Sequence, residues 1–156
     1  PDLSVTTLFS GVACANSTCF SPDGATMYFA DSPTGRIVAF PYDLETGSVG
    51  EPRVVAETGA IPDGSCIDAE GFLWTAIWEG YRVERRTPDG RLDRVIEVDV
   101  AKPTCCAFGG AGLGTLFITT SRLGESEQRL AREPQAGSLF AVAPGVPGIP
   151  DAPFAG

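Results

Sequence analysis

The chain has 156 residues, 43% of them hydrophobic, which is enough for one domain with a real core and too apolar for disorder. Its net charge of −9 argues against nucleic acid as a partner, because phosphate binding needs a basic surface. There is no histidine, so Ser-His-Asp and Cys-His mechanisms and His-ligated metals are excluded. Base chemistry falls to Asp, Glu, Lys or a metal-activated water.

In chain order, short apolar and β-branched runs alternate with explicit turns. "LSVTTLFSG" (Leu3 to Gly11) reads as the outer strand of a unit whose remainder precedes Pro1. "TMYFAD", "RIVAFPYD" and "RVVAE" follow, then "FLWTAIW", "YRVERRT" and "RVIEVDV", then "TLFITTS" and "SLFAVAP". All have the length of strands, and "SPDG", "LETG", "DAEG" and "TPDG" place Gly where a turn needs positive φ. Asp23 and Asp89, inside two of these turns, read as structural. "LGESEQRLARE" (Leu123 to Glu133) has helical composition, but a surface loop with a solvated charged face is expected there. Trp74 and Trp78 read first as core, with a pocket wall for a sugar ring as the other reading. No run approaches the roughly 20 apolar residues of a membrane span, so no membrane partner is expected.

Five cysteines are an odd number with no C-x-x-C spacing. They read as free thiols of a reducing, cytoplasmic compartment; a disulfide between two of Cys14, Cys19 and Cys66 is the alternative. Cys105-Cys106 has no His or predicted base beside it, so a nucleophile is not expected there.

An internal repeat organises the chain. "SPDGATMYFADSPTGRIVAFPYD" aligns with "DAEGFLWTAIWEGYRVERRTPDG" and more loosely with "GGAGLGTLFITTSR". Tyr28, Trp74 and Phe117 anchor a period of about 43 to 47 residues, the signature of a β-propeller. The chain is thus expected to be all-β, one propeller segment over 1–156 with repeats at about 12–58, 59–100 and 101–156. Three repeats do not close a ring, so a missing N-terminal half or self-association of two chains is expected to complete it. A second frame runs through the repeat. Asn16, Asp63 and Thr104 each precede a Gly by eight residues (Gly24, Gly71, Gly112). In a propeller the first strand of each blade lines the central channel, so these three residues are expected around one of its ends. A metal site is a natural use for Asn16 and Asp63, whereas Thr104 would touch substrate or only bond a neighbouring strand.

"SPDGATMYFADSPTGRIVAFPYDLETG", "PDGSCIDAEGFLWTAIWEGYRV", "PTCCAFGGAGLGTLFITTS" and "GSLFAVAPGVPGIPDAPFAG" cover nearly the whole chain. In order and spacing they resemble the C-terminal half of the senescence marker protein/gluconolactonase/luciferin-regenerating-enzyme family of six-bladed lactonase propellers. The resemblance implies one divalent cation held by Glu, Asn and Asp, with Asn16 and Asp63 as the Asn and Asp and Asp63 as the residue that activates water. The Glu and a substrate-holding Arg/Asn pair belong to the family's N-terminal half and have no position here. The family usually has Gly after the metal-binding Asn, where this chain has Ser17. The implied reaction is opening of a sugar lactone by a metal-bound water attacking the carbonyl. An amide oxygen and a carboxylate are hard donors that suit Ca²⁺ first, and also Zn²⁺, Mn²⁺ or Mg²⁺. A phosphotriester substrate on the same site, and a non-catalytic calcium-binding or interaction propeller, stay open as alternatives.

Overall fold

The structure, a computed structural model, describes residues 4–151. Three antiparallel sheets follow one another along the chain. The first is β1 (Ala15–Phe20), β2 (Thr26–Asp31), β3 (Arg36–Pro41) and β4 (Arg53–Glu57), paired in that order. The second is β5 (Ile61–Ile67), β6 (Leu73–Trp78), β7 (Arg82–Arg86) and β8 (Leu92–Glu97), again in sequence order. The third holds β9 (Pro103–Gly109), β10 (Thr115–Thr120) and β11 (Leu139–Val142). Each connection is short, so each strand pairs with the one just made. Gly24 and Gly71 close the β1–β2 and β5–β6 turns at φ of 69° and 79°, a conformation that favours glycine.

The sheets pack face to face. Tyr28, Ala30, Ile37, Ala39, Val55 and Ala56 of the first sheet meet Ile67 and Leu73 of the second. The other face of the second sheet sets Trp74, Ala76 and Val83 against Cys106, Leu116 and Ile118 of the third. Middle strands are therefore apolar on both faces, which explains the near-continuous burial of Leu73 to Ile77. Trp74 is fully buried, as a core residue should be, and its indole N–H donates to Asp68 Oδ2 at 2.8 Å. Trp78 is half-buried under the Lys102 ammonium, 4.8 Å from the ring centre.

Two expectations are corrected. Within "LSVTTLFSG" residues 4–11 form no strand; Leu3 lies outside the described residues. Its apolar pattern reports burial at Phe9 alone, which packs 5.0 Å from Phe29 and 5.1 Å from Phe40, while Val5 is 97% exposed. The loop expected at 123–133 contains a short helix, α1 (Glu127–Arg132). The Ser126 hydroxyl caps its N-terminus, and Arg129 joins Glu125 and Glu133 one turn away on either side. Glu127 and Arg132 are exposed as a solvated face should be, but Glu125 is not. The side chains of Glu125 and Lys102 are buried and lie 2.8 Å apart, and Glu79 bridges Lys102 to Arg129.

All five cysteines are free. No helix among the described residues is long and apolar enough to cross a membrane.

Candidate functional site

The first strands of the three sheets lie side by side, β1 against β5 and β5 against β9. Asn16, Asp63 and Thr104 occupy these strands near their N-terminal ends. The close approach has a local cause at Gly64. A Cβ there would stand 2.4 Å from Cys105 Sγ and 2.9 Å from its Cα, so only glycine lets β9 come this near.

The frame shared by Asn16 and Asp63 has a structural meaning. The β1–β2 register slips between Asn16 and Cys19, and the β5–β6 register slips between Pro62 and Ser65. Both residues sit at a bulge, a device that re-aims side chains beside functional sites. Ser17, directly after Asn16, has φ of 56°, in the left-handed region. That conformation suits the Gly of the resembled family, and Ser17 reaches it with its hydroxyl fully bonded.

Hydroxyls join Asn16 and Asp63. Asn16 Nδ2 donates to Ser32 Oγ at 2.8 Å, and Ser32 Oγ donates to the Pro62 carbonyl at 2.6 Å. Ser17 Oγ donates to the Asp63 carbonyl at 2.6 Å, and Ser65 Oγ donates to Ser17 Oγ at 2.9 Å. Thr104 stands outside this network: its hydroxyl pairs with Thr119 Oγ1 at 2.7 Å across the β9–β10 ladder. Ser17, Ser32 and Ser65 are members that the sequence does not single out. Ser17 is marked there only as a departure from Gly, and nothing in "ADSPTG" shows that Ser32 is buried.

The Asp63 carboxyl is half-buried and has no ion pair among the described residues. Its pKa is pushed up to about 6 by loss of water, and a hydrogen bond from the Gly64 amide opposes the shift. Asn16 Oδ1 has no protein partner among the described residues, whereas Nδ2 is engaged by Ser32 and, at 3.6 Å, by Cys14 Sγ. A dehydrated carboxylate and an unengaged amide oxygen are both hard donors, and they fit a divalent cation such as Ca²⁺. Two donors do not complete its shell of six to eight oxygens. Among the described residues no group of three or more Asp, Glu, Cys or His is placed to hold a metal ion.

A hollow of about 740 Å³ lies elsewhere, beside the C-terminal halves of the same first strands. Thr18, Cys19, Cys66, Cys105 and Phe108 are among its lining residues, and neither Asn16 nor Asp63 is. The thiols are not poised for attack. Burial raises Cys19 and Cys105, while contact with Cys66 and then burial raise Cys106.

Comparisons with known proteins bear on the fold. The family described as "SMP-30/Gluconolactonase/LRE-like region" matches residues 1–122. Regucalcin of Gallus gallus is 40% identical over 161 residues, covering 100% of this chain and 54% of that protein. Regucalcin of Homo sapiens is 38% identical with the same coverage. The chain therefore spans about half the length of these relatives. Among solved structures, a calcium-binding protein, regucalcin, from Agrobacterium tumefaciens superposes with a TM-score of 0.90 at 35% identity, over 94% of this chain and 51% of that one. A luciferin-regenerating enzyme gives 0.82 at 28% identity, over 90% and 48%. A gluconolactonase from Xanthomonas campestris gives 0.59 at 32% identity, over 67% and 34%. The three sheets are part of a β-propeller, and the chain belongs to the SMP-30/gluconolactonase/LRE-like family.

Proposed function

We propose that this chain supplies the Asn and Asp of a divalent-cation site, Ca²⁺ foremost, that opens sugar lactones. The observation that carries the reading is the pairing of Asn16 with Asp63. Among the described residues, one offers an unengaged amide oxygen and the other a partly dehydrated carboxylate without a cationic partner, and short hydrogen bonds tie their strands together. A bound cation supplies polarisation of the lactone carbonyl. Asp63 then acts as general base. Without a cation its pKa near 6 already leaves it mostly ionised at neutral pH, and a bound cation would favour the ionised form further. It takes a proton from the water as the water oxygen bonds to the carbonyl carbon, and returns that proton to the ring oxygen as the acyl C–O bond breaks, giving the hydroxy acid. Thr104, whose hydroxyl pairs with Thr119 and keeps a free lone pair, is placed to touch a sugar lactone as an acceptor.

The remaining ligands come from outside these residues, either from further polypeptide or from a second copy of this chain. Free cysteines suit a cytoplasmic setting. A second reading rests on the two-donor count and on a neighbour named a calcium-binding protein: the site binds Ca²⁺ without turnover.

The test is pH-stat hydrolysis of glucono-δ-lactone by chelator-stripped protein, with Ca²⁺, Zn²⁺, Mn²⁺ or Mg²⁺ restored in turn and an organophosphate triester run in parallel. Loss of the Asp63 base in Asp63→Ala is expected to lower metal-dependent turnover at least about 100-fold. Turnover that ignores either the metal or this substitution would refute the lactonase reading. Calcium binding with no turnover on either substrate would select the binding-protein reading.

A further inference from the structure

The hydroxyls around the candidate site have only one consistent set of donors, and it decides how Asn16 presents itself. A hydroxyl carries one proton, and a backbone carbonyl can only accept. The Ser32 proton goes to the Pro62 carbonyl at 2.6 Å. Ser32 Oγ therefore has nothing left to donate to Asn16 and must accept, which makes Nδ2 the group that faces it, at 2.8 Å. The second Nδ2 proton meets Cys14 Sγ at 3.6 Å. Both amide protons are used, and the planar amide turns Oδ1 away from Ser32.

A second run of hydroxyls obeys the same rule. The Ser17 proton goes to the Asp63 carbonyl at 2.6 Å. Ser17 must then accept from Ser65 at 2.9 Å, and Ser65, its proton used, must accept from Thr75 Oγ1 at 2.8 Å. The order is Thr75 to Ser65 to Ser17 to the Asp63 backbone. Ser17, Ser32 and Thr75 are all buried, at 2%, 4% and 0% exposure, so water does not compete for these bonds.

We propose that Ser32 and Ser17 are positioning residues for the cation site: Ser32 turns the Asn16 amide oxygen outward, and Ser17 fixes the Asp63 backbone beside it. The inference rests on the cation reading of Asn16 and Asp63. The two serines bridge different sheets, Ser32 running from the end of β2 to β5 and Ser17 from β1 to β5. They therefore fix the spacing of the two donors and their orientation together. Outer-shell hydrogen bonds of this kind set metal affinity without touching the ion.

The experiment is a calorimetric Ca²⁺ titration of the wild-type protein and of Ser32→Ala, Ser32→Thr and Ser17→Gly. Alongside it, ¹⁵N-resolved NMR follows hydrogen exchange at the Asn16 side-chain amide in the metal-free state. Ser32→Ala is expected to expose the Asn16 amide protons to exchange and to weaken Ca²⁺ binding roughly 10- to 100-fold. Ser32→Thr keeps the hydroxyl and should recover most of the affinity. Ser17→Gly suits the backbone at φ of 56° and removes the hydroxymethyl side chain without backbone strain, so it carries the test if Ser32→Ala fails to fold. It too should weaken Ca²⁺ binding. Wild-type binding that persists unchanged in Ser32→Ala and Ser17→Gly overturns the positioning role and leaves the cation site standing. A wild type that binds no Ca²⁺ even with the polypeptide that supplies the remaining ligands present removes the cation site instead, and with it the positioning role, even if the NMR readout shows that Ser32 holds the amide.

Discussion

At the scale of single residues, the two aspartates that follow one another on β5 and its turn have opposite fates. Asp63 keeps a carboxylate without an ion pair among the described residues and is pushed toward neutrality by burial. Asp68, five residues on, is fully buried and saturated. It accepts from the Glu70 and Phe72 amides, the Trp74 indole and the Arg85 guanidinium, all between 2.8 and 3.0 Å. Arg85 in turn reaches Glu70 and Asp93 and lies 3.8 Å over the centre of the Phe72 ring. A buried ion is tolerable only when its partners are all present. Asp68→Ala strands the Arg85 charge and three further donors, and is expected to cost about 3–5 kcal/mol in urea unfolding. A loss under about 1 kcal/mol would mean that Glu70 and Asp93 suffice to hold Arg85.

At the scale of elements, the packing of β5 on β9 depends on the missing side chain at Gly64. Cys105 occupies the space that a Cβ would need, with its Sγ, Cβ and Cα only 2.4, 2.7 and 2.9 Å away. Turning the Cys105 side chain relieves the first of these but not the backbone clash, so β9 must move. Gly64→Ala is expected to lower stability by about 1–3 kcal/mol through overpacking. The same displacement should disturb Asp63, its neighbour, so Ca²⁺ affinity should fall together with the thermal midpoint. A melting curve and a Ca²⁺ titration on one preparation check both, and a variant with wild-type values in each would show that the strands slide freely. Helix α1 depends instead on side chains that are present. Its helical composition is legible in the sequence, but six residues are too few to be stable alone. The Ser126 cap and the ion pairs of Arg129 with Glu79, Glu125 and Glu133 hold it, and Glu79 lies on another sheet's turn.

At the scale of the whole molecule, an excess of carboxylates sets the response to acid. Asp23, Asp43 and Asp89 lie below the usual aspartate range, held there chiefly by the Ser21 hydroxyl, the Thr46 amide and the Thr87 hydroxyl respectively. Glu133 is also lowered; burial opposes this, but the Ala101 amide, the Tyr81 hydroxyl and Arg129 outweigh it. A depressed folded pKa means that the unfolded chain binds protons more readily. The stability these groups contribute is therefore present above their unfolded values and is lost as pH falls through the folded ones. Through these groups urea midpoints are expected to fall steadily below about pH 4, while Asp63, raised to about 6, has the opposite sign and costs stability as pH rises from about 4 to about 6. A midpoint that rises on acidification below about pH 4 would show that repulsion within the net charge of −9 dominates.

The amino-acid sequence alone determined strands β2–β4, β6–β8, β10 and β11, the turns and the repeat, because these are local, while the first strands β1, β5 and β9 were legible only through the repeat frame. Strand length, period-2 alternation and turn glycines are written residue by residue, and the matching frames around Asn16 and Asp63 survive in the structure as matching bulges. The three-sheet order follows from the same signals, since each strand pairs with its neighbour in the chain. Only the tertiary structure decided which hydroxyls meet. Ser32 lies 16 residues from Asn16 and 30 from Pro62, and Ser17 lies 46 from Asp63. No periodicity links positions so far apart; β1 packing on β5 does. The failed expectations share that cause. "VTTLFSG" reads apolar enough for a strand, yet the fold packs only its Phe9 against other rings. The charged stretch around Glu125 reads as solvated, yet Lys102, well before it in the chain, draws it into a buried ion pair.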